Sequence, residues 1–285
     1  MNAMPSRRRA GFTLVELLVA LVIFVLVAAS LYRVLNVSQR TARTQTEKAT
    51  MQGSLRSGLQ LAMAEIQELW SDDDALLPGS AITAMTATAL SYNAMRGLGM
   101  TCGVQTNTTI TLRLNTWTGL LFPAANQGIY VFDEGALSST EDDDLWHSGT
   151  ITAVGSGSCP DGGVATVLTV SGIAASYANV KVPGPVRNHE PMQLGVVASG
   201  GRNWLGIAGT GSLTPLAGPL KSSGTALDFK YYNAQGVITT VPAEVKSVVF
   251  RLYGETDRMT TRNIGGTMQL LQDSMIVRVQ LRNGR

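Results

Sequence analysis

Clustered carboxylates are the first residues in this chain whose types could do chemistry. Asp133-Glu134 and Glu141-Asp142-Asp143-Asp144 fall within one short segment. Hard oxygen ligands at that density can chelate Ca2+. The spacing lacks the alternating acids, central glycine and terminal glutamate of a calcium loop, so a solvated acidic loop is the competing reading. Cys102 and Cys159 are the only cysteines. In an oxidising compartment an even count favours one disulfide, with two separate buried thiols as the alternative. Two cysteines cannot make a four-cysteine zinc module. His147 and His189 are the only histidines, and neither sits in a metal-binding spacing. His147, beside Trp146, reads as a surface or interfacial residue. There is no G-x-S-x-G elbow and no phosphate-binding loop. Without a paired acid and base to place, the chain is expected not to be an enzyme.

One carboxylate stands apart. Phe12 to Tyr32 reads FTLVELLVALVIFVLVAASLY, an apolar run whose only charge is Glu16. About 20 apolar residues span a bilayer as a helix. Arg7, Arg8 and Arg9 precede the run, which predicts a cytoplasmic N-terminus and the bulk of the chain on the other side. Three readings compete. A secretory signal peptide could use Val27-Ala28-Ala29 as its cleavage site. Ser6-Arg7-Arg8 suggests a twin-arginine signal. The third reading is a retained membrane helix. Glu16 weighs toward the third, because a carboxylate in a membrane segment costs roughly 2.5–3.5 kcal/mol on insertion scales. A segment that assembles with other helices can use such a charge by meeting an opposite one.

Gly11-Phe12-Thr13-Leu14-Val15-Glu16-Leu17 followed by an apolar stretch resembles the signal of type IV prepilins and type II secretion pseudopilins. The resemblance covers about the first 35 residues. It implies cleavage between Gly11 and Phe12 by a prepilin peptidase, N-methylation of Phe12, and an assembly role for Glu16. It also implies a basic leader, here Arg7–Arg9. Partners would be other pilin subunits, the peptidase and an inner-membrane assembly platform. The new amine at Phe12 would be cationic near neutral pH. Within one helix it cannot easily reach Glu16, whereas a neighbouring subunit's carboxylate can meet it. Such pairing specifies register. Met275 to Asn283 is similar to the closing strand of PilW-type minor pilins. Ile23-Phe24 with Tyr32-Arg33-Val34-Leu35 is more similar to the minor pseudopilin J of type II secretion.

The elements that carry these residues can be read from periodicity. Leu55, Leu59, Met63, Ile66 and Trp70 recur at three and four, which marks one helix face. Gly53 and Gly58 each weaken that helix by about 1 kcal/mol and allow a bend. Asp72-Asp73-Asp74 and Pro78-Gly79 end it. The expected helix runs over 12–70, with its membrane segment at 12–32. Beyond it the pattern predicts strands at Thr109–Asn115, Gly128–Asp133, Gly149–Val154 and Val164–Val170. Gln193–Ala198 and Asn203–Ile207 flank Gly200-Gly201 as a hairpin. Ala226–Asn233 turns at Gln235-Gly236 into Val237–Val241, and Glu244–Tyr253 and Met275–Leu281 follow. The expected fold class is α+β, a long helix packed on a mostly antiparallel sheet, as in pilin-like proteins.

Composition agrees with this division. Of 285 residues 45 % are hydrophobic and 15 % charged, which supplies a core and argues against disorder. A net charge of +2 gives no field for nucleic acid. Without Arg7–Arg9, 19 cations face 20 acids, so the basic character belongs to the leader. The expected organisation is a cytoplasmic leader over 1–11, the helix over 12–70 and a β-rich head over 71–285. The head would lie in the periplasm, on a single-pass inner-membrane protein that later enters a pilus or pseudopilus. The competing function is an exported or membrane-anchored β-rich binding domain.

Overall fold

The computed structural model describes residues 13–70, 80–103, 105–134, 145–174, 182–209, 211–261 and 267–281. One helix, α1 (Leu14–Gln67), comes first. Fifteen strands follow among the described residues. They are β1 (Ile82–Met85), β2 (Ala89–Met100), β3 (Thr109–Arg113), β4 (Thr118–Gly119), β5 (Gly128–Asp133), β6 (Leu145–Ser158), β7 (Val164–Ser171) and β8 (Pro185–Ser199). Then come β9 (Arg202–Ala208), β10 (Thr214–Leu220), β11 (Leu227–Tyr232), β12 (Ser247–Glu255), β13 (Thr260–Thr261), β14 (Met268–Gln269) and β15 (Gln272–Gln280). The chain divides into two compact units. One comprises Met1–Thr50 with Thr256–Leu271, the other Met51–Glu255 with Gln272–Arg285.

The first unit holds the apolar stretch of α1. No Pro or Gly interrupts residues 14–50, so every backbone N–H can stay in the helical ladder. Ser30 donates its hydroxyl to the Leu26 carbonyl at 2.6 Å, which satisfies a polar group inside the apolar run. The apolar side chains point outward all round. Leu14 is 80 % exposed and Phe24 71 %. Among the described residues this is the one helix long and apolar enough to cross a membrane. In the same unit β13 and β14 form a two-stranded ladder.

The second unit is the head, and α1 ends on it. Met51, Leu55, Gly58, Leu59, Ala62 and Ile66 are its buried helical residues, repeating at three and four as the sequence predicts. They pack with Leu90, Tyr92, Leu194, Leu205, Ala217, Phe250 and Leu252 in the larger core. Each fully buried aliphatic side chain contributes about 1.5–3 kcal/mol. The helix stops at Gln67, three residues short of the expected Trp70. Trp70 is buried just past the helix, edge-on to Tyr130 at 5.7 Å.

Thirteen strands make one sheet, in the order β11-β12-β10-β9-β8-β5-β6-β7-β3. Off that path β15 pairs β12, β2 pairs β8, and β1 and β4 pair β2. Every ladder is antiparallel. β8 is central: it pairs β2 over Pro185–Gly195, β5 within its first half and β9 with its second. It places Leu194 in the larger core and Val186 in a second one with Ile110, Ile129, Ile151 and Leu168.

The α+β expectation therefore holds, with local corrections. Val237–Val241 is not a strand; it makes one bridge, Tyr232 to Ile238. Val237 and Ile238 are both 59 % exposed, so their alternation faced no core. The segment at Asn115 turns into a 3-10 helix, Leu114–Thr116. Pro242–Glu244 forms another before β12. β1, β2, β4, β10, β13 and β14 were not expected from the sequence.

Candidate functional site

The start of α1 is a closed hydrogen-bonded unit. Thr13 donates its backbone N–H to Glu16 Oε2 at 3.0 Å and its hydroxyl to the same oxygen at 3.1 Å. Glu16 returns its own N–H to Thr13 Oγ1 at 3.3 Å. The Thr13 carbonyl accepts from Leu17 N–H at 3.3 Å. Thr-x-x-Glu of this geometry is the reciprocal capping box. It satisfies helix N–H groups that have no intrahelical partner. The carboxylate also sits at the positive end of the helix dipole. Both Thr13 donors fall on Oε2, and among the described residues no donor falls on Oε1. The sequence reading singled out Glu16 and passed over Thr13. The capping-box pattern ahead of an apolar run was the signal that names it.

Gly11, Phe12 and Arg7–Arg9 lie outside the described residues. So do Glu141, Asp142, Asp143 and Asp144 of the acidic segment. Asp133 and Glu134 are described, at the end of β5. Asp133 is 5 % exposed and its Oδ2 lies 2.9 Å from His147 Nε2. The sequence reading left His147 at the surface or an interface; its ring is part-buried against Asp133. The His147 side chain is 13 % exposed, because it lies on the same face of the β5–β6 ladder as Asp133. Among the described residues no three His, Cys, Asp or Glu side chains group into a metal site.

Cys102 and Cys159 are joined in a disulfide across 57 residues of chain, packed with Ala165. It ties the start of the β2–β3 connection to the tip of the β6–β7 hairpin. A second cluster escaped the sequence reading. Arg96 Nη1 lies 3.3 Å from Glu65 Oε1 on α1, and Arg96 Nε lies 3.3 Å from Glu190 Oε2 on β8. Tyr92 donates its hydroxyl to Glu65 Oε2 at 3.2 Å. Burial first, and Glu65 second, push the Tyr92 phenol far above its usual range. Burial works against the Arg96 charge, but Glu65 and Glu190 outweigh it and raise its pKa. The cluster locks helix to sheet.

The N-terminal geometry has a counterpart. Residues 6–32 match the prokaryotic N-terminal methylation motif. The methylation motif contains Gly11, Phe12, Thr13 and Glu16, and it ends at Tyr32 inside the apolar run of α1. The capping box thus lies within the matched motif. No curated protein and no solved structure matches the chain.

Proposed function

We propose that this chain is the precursor of a filament subunit, a minor pilin or pseudopilin. The observation that carries the proposal is the methylation motif running directly into a helix whose apolar side chains over residues 14–35 are all exposed. A surface of that size is stable only in lipid or against other helices. Arg7–Arg9 hold the leader in the cytoplasm and the head crosses to the periplasmic side. Prepilin peptidase cuts between Gly11 and Phe12 and methylates Phe12. Glu16, held upright by Thr13, offers Oε1 to the Phe12 amine of a neighbouring subunit. Each charge then meets its opposite as the helix leaves the membrane for the filament core. The disulfide suits a head in an oxidising compartment. Assembly by helix packing calls for no cofactor and no catalysis. An assembly platform and other pilins are the partners.

Mass spectrometry of the mature N-terminus from the native host tests the reading. A start at N-methylated Phe12 is expected. A start at Ser30, or an intact Met1, would overturn it and favour an exported or anchored β domain.

A further inference from the structure

His189 presents an unexplained pair of polar atoms. Its residue is 8 % exposed, and neither Nδ1 nor Nε2, both closed off from solvent, has a hydrogen-bond partner among the described residues. Burial lowers its pKa to about 4, so the imidazole is neutral at ordinary pH, with one donor and one acceptor. The ring stacks on Tyr130 at 4.4 Å between centroids. It also lies over Gly128, where any Cβ would fall onto its Cε1 and Nε2. Glycine in β5 is what makes room for it.

The ring lines a cleft of about 500 Å3, within the roughly 300–1,000 Å3 range of small-molecule sites. The cleft crosses the sheet in a row set by register. His189 pairs Gly128, Gly128 pairs Thr150, and Thr150 pairs Ser171, so their side chains share one face. Ser148, two residues from Thr150, adds another hydroxyl, and Asn93 and Asn126 add amides. Asn126 is held at φ 70°, a left-handed conformation that asparagine tolerates. Among the described residues no charged side chain lines the cleft. An anion would find no cation and a metal ion no carboxylate. A purely apolar ligand would leave the hydroxyls and amides unpaired.

We propose that this cleft binds a neutral, hydroxyl-rich ligand, a saccharide. Sugar hydroxyls both donate and accept, which matches serine, threonine and asparagine. The His189 nitrogens are closed off from the cleft, so the ring serves as part of its floor.

The test uses the full-length protein in a detergent without a sugar headgroup, labelled with 13C at histidine Cε1. The chain has two histidines, and His189→Phe assigns one signal by its loss. Hexoses, N-acetylhexosamines and their tetramers are titrated in separate arms. The expected result is saturation transfer to at least one sugar and a shift of the His189 signal but not the His147 signal. Binding of tetramers alone assigns a polysaccharide segment, and equal binding of monomers assigns a terminal or free sugar; both support the proposal. Thr150→Val, at an exposed position, should weaken binding about 3- to 10-fold, the value of one hydrogen bond. No transfer to any sugar, or unchanged binding in Thr150→Val, would overturn the proposal. So would a short neutral peptide shifting His189 while no sugar does.

Discussion

Gly58 of α1 meets Ala217 of β10 with no room for a side chain between them. A Cβ at position 58 would overlap the Ala217 Cβ and lie 3.4 Å from Leu205 Cδ2. Gly53, one turn earlier and exposed, has nothing within 4 Å of the same added atom. Two glycines that look alike in the sequence therefore have opposite effects. Gly58→Ala should destabilise the head by about 1–3 kcal/mol through overpacking. Gly53→Ala should stabilise it by up to about 1 kcal/mol through helix propensity. Denaturant unfolding followed by tryptophan emission reads both, since every tryptophan lies at residue 70 or beyond. A stabilising Gly58→Ala would contradict the close packing.

Thr13 and Glu16 can be separated by substitution. Thr13→Val removes one hydroxyl that both accepts and donates, and should cost about 1 kcal/mol at the helix start. Hydrogen exchange over residues 14–17 should then quicken roughly 5-fold, with Thr13→Ser close to the wild type. Glu16→Ala should leave cleavage after Gly11 largely intact and impair assembly, read as incorporation into filaments. Normal filaments from Glu16→Ala would remove its role as the assembly charge. If Thr13→Val assembles as poorly as Glu16→Ala, orientation of the carboxylate is as important as its charge.

Arg96 joins acids from two elements that lie 31 and 94 residues away in sequence. Arg96→Met keeps the apolar stem and leaves Glu65 and Glu190 facing one another. Breaking a fully buried pair costs 3–5 kcal/mol. These carboxylates are about one-quarter exposed, so about 2–3 kcal/mol is expected. Urea unfolding should show the midpoint falling with an unchanged slope. Adding Glu65→Gln to Arg96→Met should recover part of the loss by removing one of the unpaired charges.

How far the chain could be read without its structure depended on what carried each feature. The helix face was legible because Leu55, Leu59 and Ile66 recur at one period against a single sheet. The β8–β9 hairpin was legible because Gly200 and Gly201 adopt φ 58° and 74°, which few other residues do. β2 was not, because Asn93 and Arg96 stand among its apolar residues. Arg96 is 9 % exposed, and only the distant acids explain it. β10 was hidden by Pro215 and Pro219, yet Pro215 still sits in register with Gly206. At the site, Glu16 stood out as a lone charge, whereas Thr13 acts through local hydrogen bonds that hydropathy does not register. The row from His189 to Ser171 exists only once four strands are in register.

The buried imidazole of His189 makes a prediction about acid. Its folded pKa of about 4 lies below the ordinary value of 6.5. Between those values the unfolded chain binds a proton that the folded head refuses. Stability must therefore rise with pH across that window and fall as pH drops from about 6.5 toward 4. The full difference corresponds to a loss on the order of 3 kcal/mol below pH 4. Carboxylates titrate in the same range, so the wild type alone cannot isolate the effect. His189→Phe can, because it keeps a ring on Tyr130 and removes the titration. The stability gap between variant and wild type should shift toward the variant as pH is lowered from 7 to 4.5. A gap that stays constant would mean His189 is solvated enough to protonate in the folded head.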